Sequence, residues 1–181
     1  MINLLYLLGG FISGVLLLAF FVKKNYTIAR SIIIRQPKSL VFDYIKLLKN
    51  QDNYSKWATM DPNMNKTYRG TDGTVGFVSA WESPNRNVGK GEQELTNVIQ
   101  GERIESELRF FRPFTSISHT SMTTEVVSEQ ETKVVWTLKG SMPYPFNLFT
   151  WFMNFEKAIC NDFDFGLKRL KDLLESNTSG A

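Results

Sequence analysis

Groups able to do acid–base or nucleophilic chemistry are few in this chain and poorly spaced for it. Its one histidine, His119, sits in the Ser/Thr-rich run Ser116–Thr124. In the register that turns Met122 and Val126 inward, His119 faces water. The single thiol, Cys160, permits no internal disulfide and no cysteine metal cluster. No His, Cys or carboxylate grouping has metal-ligand spacing, so neither a metal nor a cofactor is expected. Gly70-x-x-Gly73-x-x-Gly76 has the spacing of neither phosphate-binding glycine motif and leads into a strand, so it reads as a turn. What remains is carboxylates. Asp61, Glu82 and Glu94 lie where a cavity mouth would fall, and a carboxyl group with a raised pKa can act as acid or base. Asp61, Glu82 and His119 are the catalytic candidates, yet no spacing makes them converge.

Binding is the better-supported chemistry. Large aromatics share strand and helix faces with small polar residues: Trp57, Trp81, Phe110, Trp136, Phe155 and Phe163 beside Ser106, Ser118, Thr120 and Thr124. Such short side chains leave room between a curved sheet and a long helix. A mostly apolar pocket with a few orienting polar groups is built this way. The candidate lining is Trp57, Trp81, Leu108, Phe110, Thr120, Met122, Trp136, Phe155, Ile159 and Phe163. The alternative is a solid core in which the same residues simply pack.

These side chains need elements to hold them. Tyr26 to Arg35 is rich in β-branched residues and reads as a strand, and Pro37 opens a helix striped by Val41, Ile45 and Leu48. A short helix is expected around Tyr54 to Ala58. From Asn65 to Met142 about six short strands alternate with turns at 70–73, 84–87, 100–102, 112–114 and 128–131. Ile104, Ser106, Leu108 and Phe110 fall on one strand face, and Val134, Trp136 and Leu138 on another, the pattern of half-buried antiparallel strands. From about Phe146 to Leu174 the period becomes three or four, predicting a long amphipathic helix with a break near Asn154 and an Asp164–Lys168 ion pair. The result is an α+β domain with one sheet.

The first 22 residues carry no charged side chain. Ile2 to Val22 would span ~30 Å as a helix, the hydrocarbon thickness of a bilayer. This segment is too long, and lacks the basic start, for a cleaved signal peptide. The expectation is a transmembrane anchor over 1–24 and a domain over 25–177. Lys23, Lys24 and Arg30 on the C-terminal flank then place the domain in the cytoplasm, as a single-pass protein of the plasma (inner) membrane. Gly10-Phe-Ile-Ser-Gly14 has the spacing for close helix approach, which makes a homodimer through Gly10 and Gly14 one reading; the abundance of glycine in such helices is the other. A net charge of +3, with scattered cations, gives no footprint for nucleic acid.

Beyond residue 25 the order of motifs resembles the SRPBCC superfamily (START/Bet v 1-like), in its polyketide cyclase/dehydrase-like branch. The resemblance rests on Pro37-Lys-Ser-Leu-Val-Phe-Asp-Tyr44, Trp57, Met60-Asp-Pro62, Thr71-Asp-Gly-Thr-Val-Gly76 and Trp81-Glu82. It continues through Val88-Gly-Lys-Gly91, Glu102-Arg-Ile104, Arg112-Pro-Phe114, Thr132-Lys-Val-Val-Trp136 and Met142-Pro-Tyr-Pro-Phe146, then Phe152-Met-Asn-Phe-Glu-Lys157, Asp162-Phe163 and Gly166-Leu167. It implies a helix-grip fold, a curved antiparallel sheet around the C-terminal helix with a hydrophobic cavity between. Members of the superfamily bind lipids, sterols, polyketides or other apolar molecules, and some are enzymes. The branch supplies no universal catalytic motif to carry over. The function expected is a membrane-anchored binding domain for a hydrophobic small molecule or lipid. An enzyme on an apolar substrate and a ligand-free partner-binding module are the alternatives.

Overall fold

The computed structural model describes residues 2–148 and 155–176; of residues 2, 4 and 5 it describes the backbone alone. Helix α1 (Ile2–Phe21) leads into β1 (Asn25–Ile34), then α2 (Lys38–Ile45), a 3-10 turn, α3 (Gln51–Tyr54) and α4 (Lys56–Met60). Six strands follow: β2 (Asn65–Arg69), β3 (Val78–Glu82), β4 (Lys90–Ile99), β5 (Arg103–Arg112), β6 (Ser116–Ser128) and β7 (Glu131–Ser141). A 3-10 turn at Phe146–Leu148 and helix α5 (Phe155–Ser176) close the described chain.

The seven strands make one antiparallel sheet in the order β1-β7-β6-β5-β4-β3-β2. Strands β2 to β7 meander between sequence neighbours, whereas β1 joins by pairing with the last strand, Ile28 opposite Leu138 and Ile34 opposite Thr132. Register shifts at Lys90/Gly91 and Leu95/Asn97 on β4, and at Val126/Ser128 on β6, add bend and twist. The curl gives the sheet a concave face, and α5 lies across it. This is the α+β helix-grip architecture expected.

Alternation decides what the concave face carries. Reading across paired strands, one row is Trp81, Gly91, Phe110 and Ser116; the next is Ser79, Gln93, Leu108, Ser118, Gly140 and Tyr26. Below these come Leu95, Ser106, Thr120, Leu138 and Ile28, and then Ile104, Met122, Trp136 and Arg30. The convex face takes the charges. Arg109 on β5 binds Glu92 at 2.7 Å, Glu107 at 2.6 Å and Glu94, three charge-assisted bonds that hold its guanidinium protonated.

The core forms where α2, α3 and α5 meet the deep rows. Phe163, Gly166, Leu167, Leu170 and Leu174 are the buried stripe of α5, and they face Ile34, Val41, Phe42, Ile45, Tyr54, Met122, Val134 and Trp136. The Trp136 indole stacks on Phe163 with centroids 4.4 Å apart and planes 9° off parallel. Tyr54 meets the other edge of the indole at 5.9 Å and 73°. Tyr54 is fully buried, which pushes its phenol far above the ordinary range, with Tyr44 and Asp52 acting in the same direction.

Several expectations change. The short helix around Tyr54 to Ala58 is two, because Ser55 (φ −66°, ψ 132°) is extended between α3 and α4. Described helix at the C-terminus begins at Phe155, not Phe146; the break expected near Asn154 lies outside the described residues. Asp164 pairs with Arg30 of β1, both guanidinium bonds at 2.7 Å, instead of with Lys168. Asp162 reaches Lys56 of α4 at 2.7 Å. These carboxylates pin α5 to its neighbours in space, which geometry favours once the helix is docked.

The largest correction concerns the N-terminus. Helix α1 forms, but among the described residues no helix is long and apolar enough to cross a membrane. This overturns the single-pass placement, and with it the plasma-membrane assignment and the orientation drawn from Lys23 and Lys24. What the structure gives α1 is a seat at its C-terminal end. Asn147 donates from Nδ2 to the carbonyls of Ala19 at 2.6 Å and Val22 at 2.8 Å, and the Tyr144 hydroxyl donates to Leu16 at 3.3 Å. The Ala19 carbonyl is one that the helix end leaves unpaired. Gly10 and Gly14 face open space, and nothing tests the homodimer reading.

Phe163→Ala removes the stacking partner of Trp136 and should cost ~3–5 kcal/mol of unfolding free energy, read as a lowered midpoint in urea with an unchanged slope.

Candidate functional site

Trp136, Phe163 and Tyr54 close the deep half of the concave face, so the open half lies toward β3, β4 and the end of β5. There the inward side chains are only half-buried: Trp81 on β3, Leu108 and Phe110 on β5, Trp57 on α4, and Phe155 and Ile159 on α5. A cradle results, walled by rings. Trp81 meets Phe110 edge-on at 5.9 Å, Trp57 meets Phe163 at 6.2 Å and 88°, and Phe155 meets Tyr26 at 5.1 Å.

Two glycines make room for these rings. A Cβ on Gly91 would stand 2.6 Å from the Trp81 indole and 2.6 Å from the Arg109 carbonyl, so the indole lies over bare backbone. Gly140 does the same for Tyr26, whose hydroxyl would be 2.3 Å from an added Cβ. Trp81 is fixed further by its Nε1–H, which donates to the Val88 carbonyl at 3.2 Å.

The floor between the rings is polar. Ser118 Oγ lies 3.4 Å from the Tyr26 hydroxyl. Thr120 donates to the Thr137 carbonyl at 2.9 Å and accepts the Trp136 indole N–H at 3.0 Å. Thr124 donates toward the Gly101 and Glu102 carbonyls. So three of the four short residues expected to leave space are tied into the sheet, and the volume above Thr120 is taken by Trp136. Ser106 is the fourth.

Of the ten candidate lining residues, the structure splits the set. Thr120, Met122, Trp136 and Phe163 are buried in the closed half; Trp57, Trp81, Leu108, Phe110, Phe155 and Ile159 border the open half. Sequence reasoning passed over Ser79 and Gln93, which share a row with Leu108. The alternation of Gln93 and Leu95 against Glu92 and Glu94 was the available signal.

The catalytic candidates do not come together. His119 is exposed on the convex face, opposite Glu107 and Lys139 in register. Glu94 is on that face too, bound to Arg109. Glu82 stands at the exposed end of β3 between Lys90 and Arg112, and the Lys90 hydrogen bond and charge hold its pKa below the usual value, with Arg112 adding to this. That favours the ionised form and opposes a role as acid. Asp61 accepts a hydrogen bond from the Ser83 hydroxyl and another from the Asn63 N–H at 3.1 Å. It clamps the end of α4 to the end of β3, while Lys56–Asp162 ties the start of α4 to α5. Among the described residues no His, Cys, Asp and Glu grouping suits a metal ion.

Two grooves lie elsewhere. One of about 440 Å³ runs between α2 and the end of α5, lined by Gln36, Leu40, Asp43, Tyr44, Leu47, Asn50 and Leu174. The other, about 590 Å³, is a shallow trough on the outer side of α5 along Phe165, Lys168 and Arg169. Both open broadly to solvent and neither reaches the concave face.

Comparison with known proteins bears on the fold. Solved structures match most of the chain. XoxI from Bacillus cereus superposes with a TM-score of 0.59 at 13% identity, over 84% of this chain and 96% of its own. The Aha1 dimer from Colwellia psychrerythraea gives 0.57 at 16%, over 83% and 96%. Ara h 8.0201 gives 0.54 at 10%, over 84% and 99%. The fold they share with this chain is the helix-grip, SRPBCC-like one. At these identities the likeness speaks for the fold alone. No family model matches the chain, and no curated protein sequence does.

Two outcomes check this geometry. Gly91→Ala forces the Trp81 ring and the Arg109 carbonyl apart; a loss of ~1–3 kcal/mol is expected, with a shifted tryptophan emission maximum. Tyr68 stacks on Phe77 at 6.1 Å and donates to Asp52 at 3.1 Å. Burial first, then the Asp52 charge and hydrogen bond, push its pKa up to about 12. A phenol raised in the fold gives stability that is present below its ordinary pKa, about 10, and lost as pH rises through about 12. Melting temperature should fall over that window, and less steeply in Tyr68→Phe.

Proposed function

We propose that this chain binds an apolar small molecule or lipid-like ligand in the cradle between β3–β5 and the first turns of α5. The observation that carries the reading is asymmetry on one concave face. Its deep half is closed by stacked rings, while six large apolar side chains of the other half stay partly open to solvent. Leaving that much aromatic and aliphatic surface half-wet forgoes ~25 cal/mol per Å² of burial, and an apolar guest would recover it. The superfamily resemblance points to the same class of ligand. The deep chamber expected from the short polar residues is not part of the proposal, because Trp136 and Tyr54 occupy it. Binding without turnover fits the separation of Asp61, Glu82 and His119.

The test is titration of the full chain with N-phenyl-1-naphthylamine, a neutral apolar fluorophore. Phe110→Ala and Leu108→Glu should each weaken the saturable component by about tenfold or more, with far-UV circular dichroism unchanged. Leu40→Glu, in the α2–α5 groove, should leave it as it was. Equal affinity in all three variants would remove the cradle from consideration. Loss in Leu40→Glu alone would move the site to the other groove.

A further inference from the structure

Gln93 and Ser106 are buried side chains of the concave face whose polar groups the fold does not use. Gln93 is 8% exposed and Ser106 2% exposed. Neither makes a side-chain hydrogen bond among the described residues, and neither has a polar atom that is both enclosed and unpaired, so these groups still reach open space. Polar groups on an otherwise enclosed face that have no partner in the fold and still reach open space are available to a guest. The two are neighbours by register: Gln93 faces Leu108 across β4–β5, and Leu95 faces Ser106, which sets Gln93 and Ser106 on a diagonal of the concave face. Ser79, opposite Gln93 on β3, extends the patch and is likewise without a side-chain partner among the described residues. Trp81, Leu108 and Phe110 surround it.

The charges near this patch are already balanced. Lys66, on the same face of β2 as Trp81, is bound to Asp52 at 2.6 Å. Arg30 and Lys56 are bound to Asp164 and Asp162 of α5. Glu92 and Glu94, which flank Gln93 in sequence, turn to the convex face and hold Arg109. An ionised ligand group would enter a site with no counter-charge to offer, at a high desolvation cost. A carboxamide with a hydroxyl beside it offers donors and acceptors together.

We propose that Gln93 and Ser106 form the polar anchor of the cradle and select an uncharged apolar ligand bearing a hydroxyl or carbonyl group. This rests on the cradle being a ligand site, and the experiment separates the two ideas. Affinities of the full chain for 2-naphthol and for naphthalene are measured by tryptophan quenching in the native protein, Gln93→Leu and Ser106→Ala. The native chain should favour 2-naphthol by about five- to tenfold, the scale of one neutral hydrogen bond. Gln93→Leu should bring that ratio to about one with naphthalene affinity retained, and Ser106→Ala should lower it in part. A ratio of one in the native chain, with both probes bound, overturns the anchor and leaves the cradle standing. No binding of either probe overturns both.

Discussion

Everything in this domain is arranged around the stack of Trp136 on Phe163. That contact joins the centre of the sheet to the middle of α5, and Tyr54 from α3 locks its free edge. A helix crossing a curved sheet encloses space by geometry alone. What becomes of the space depends on the side chains set at its centre. Here three aromatic rings occupy it, and they divide the concave face into a dry half, sealed by α2, α3 and α5, and a half that stays ajar beside β3–β5. The position of α5, the burial of Leu167 and Leu170 below the stack, and the limits of any binding surface above it all follow from that division.

Polar interactions set the orientation that the stack leaves open. Arg30–Asp164 and Lys56–Asp162 hold α5 from two sides, and Asp61–Ser83 holds α4 against the sheet end. On partly exposed side chains such pairs add little free energy. Their worth is angular: they fix how Trp57, Phe155 and Ile159 are presented to the open half. Arg109 and its three carboxylates do the equivalent for the outer surface of β4 and β5, keeping the acidic residues of those strands away from Gln93 and Ser106.

The order of elements, the six-strand meander, the inward faces of β5 and β7 and the apolar stripe of α5 could be read from alternation and period, because burial on one face imposes both. The half-open residues were legible in the same way, as Trp81, Leu108 and Phe110. The filling of the deep half was not. Ser118, Thr120 and Thr124 looked like walls of a chamber, yet nothing in their own spacing reveals that Trp136 would lie above Thr120 and accept Tyr54 from a helix eighty residues away. Gln93 was overlooked because it sits between two glutamates, and a run of Gln and Glu reads as solvated surface until pairing shows which way each residue turns. Apolarity of the first 22 residues was plain, but among the described residues no helix is long and apolar enough to cross a membrane.

The pairing of β1 with β7 has a consequence for how the chain comes to be folded. Every other strand finds its partner within a hairpin, so β2 to β7 can assemble as they leave the ribosome. Strand β1 is made before all of them and can add to the sheet only once Thr132 to Ser141 have emerged. Pairings so remote in sequence slow folding, since a long loop must close before any contact rewards it. Through that interval Ile28, Ile32 and Ile34 travel unpaired just behind the apolar stretch that becomes α1. A nascent chain in that interval carries two adjacent apolar segments without its last strand, and a truncation anywhere before β7 would leave β1 without its pairing partner.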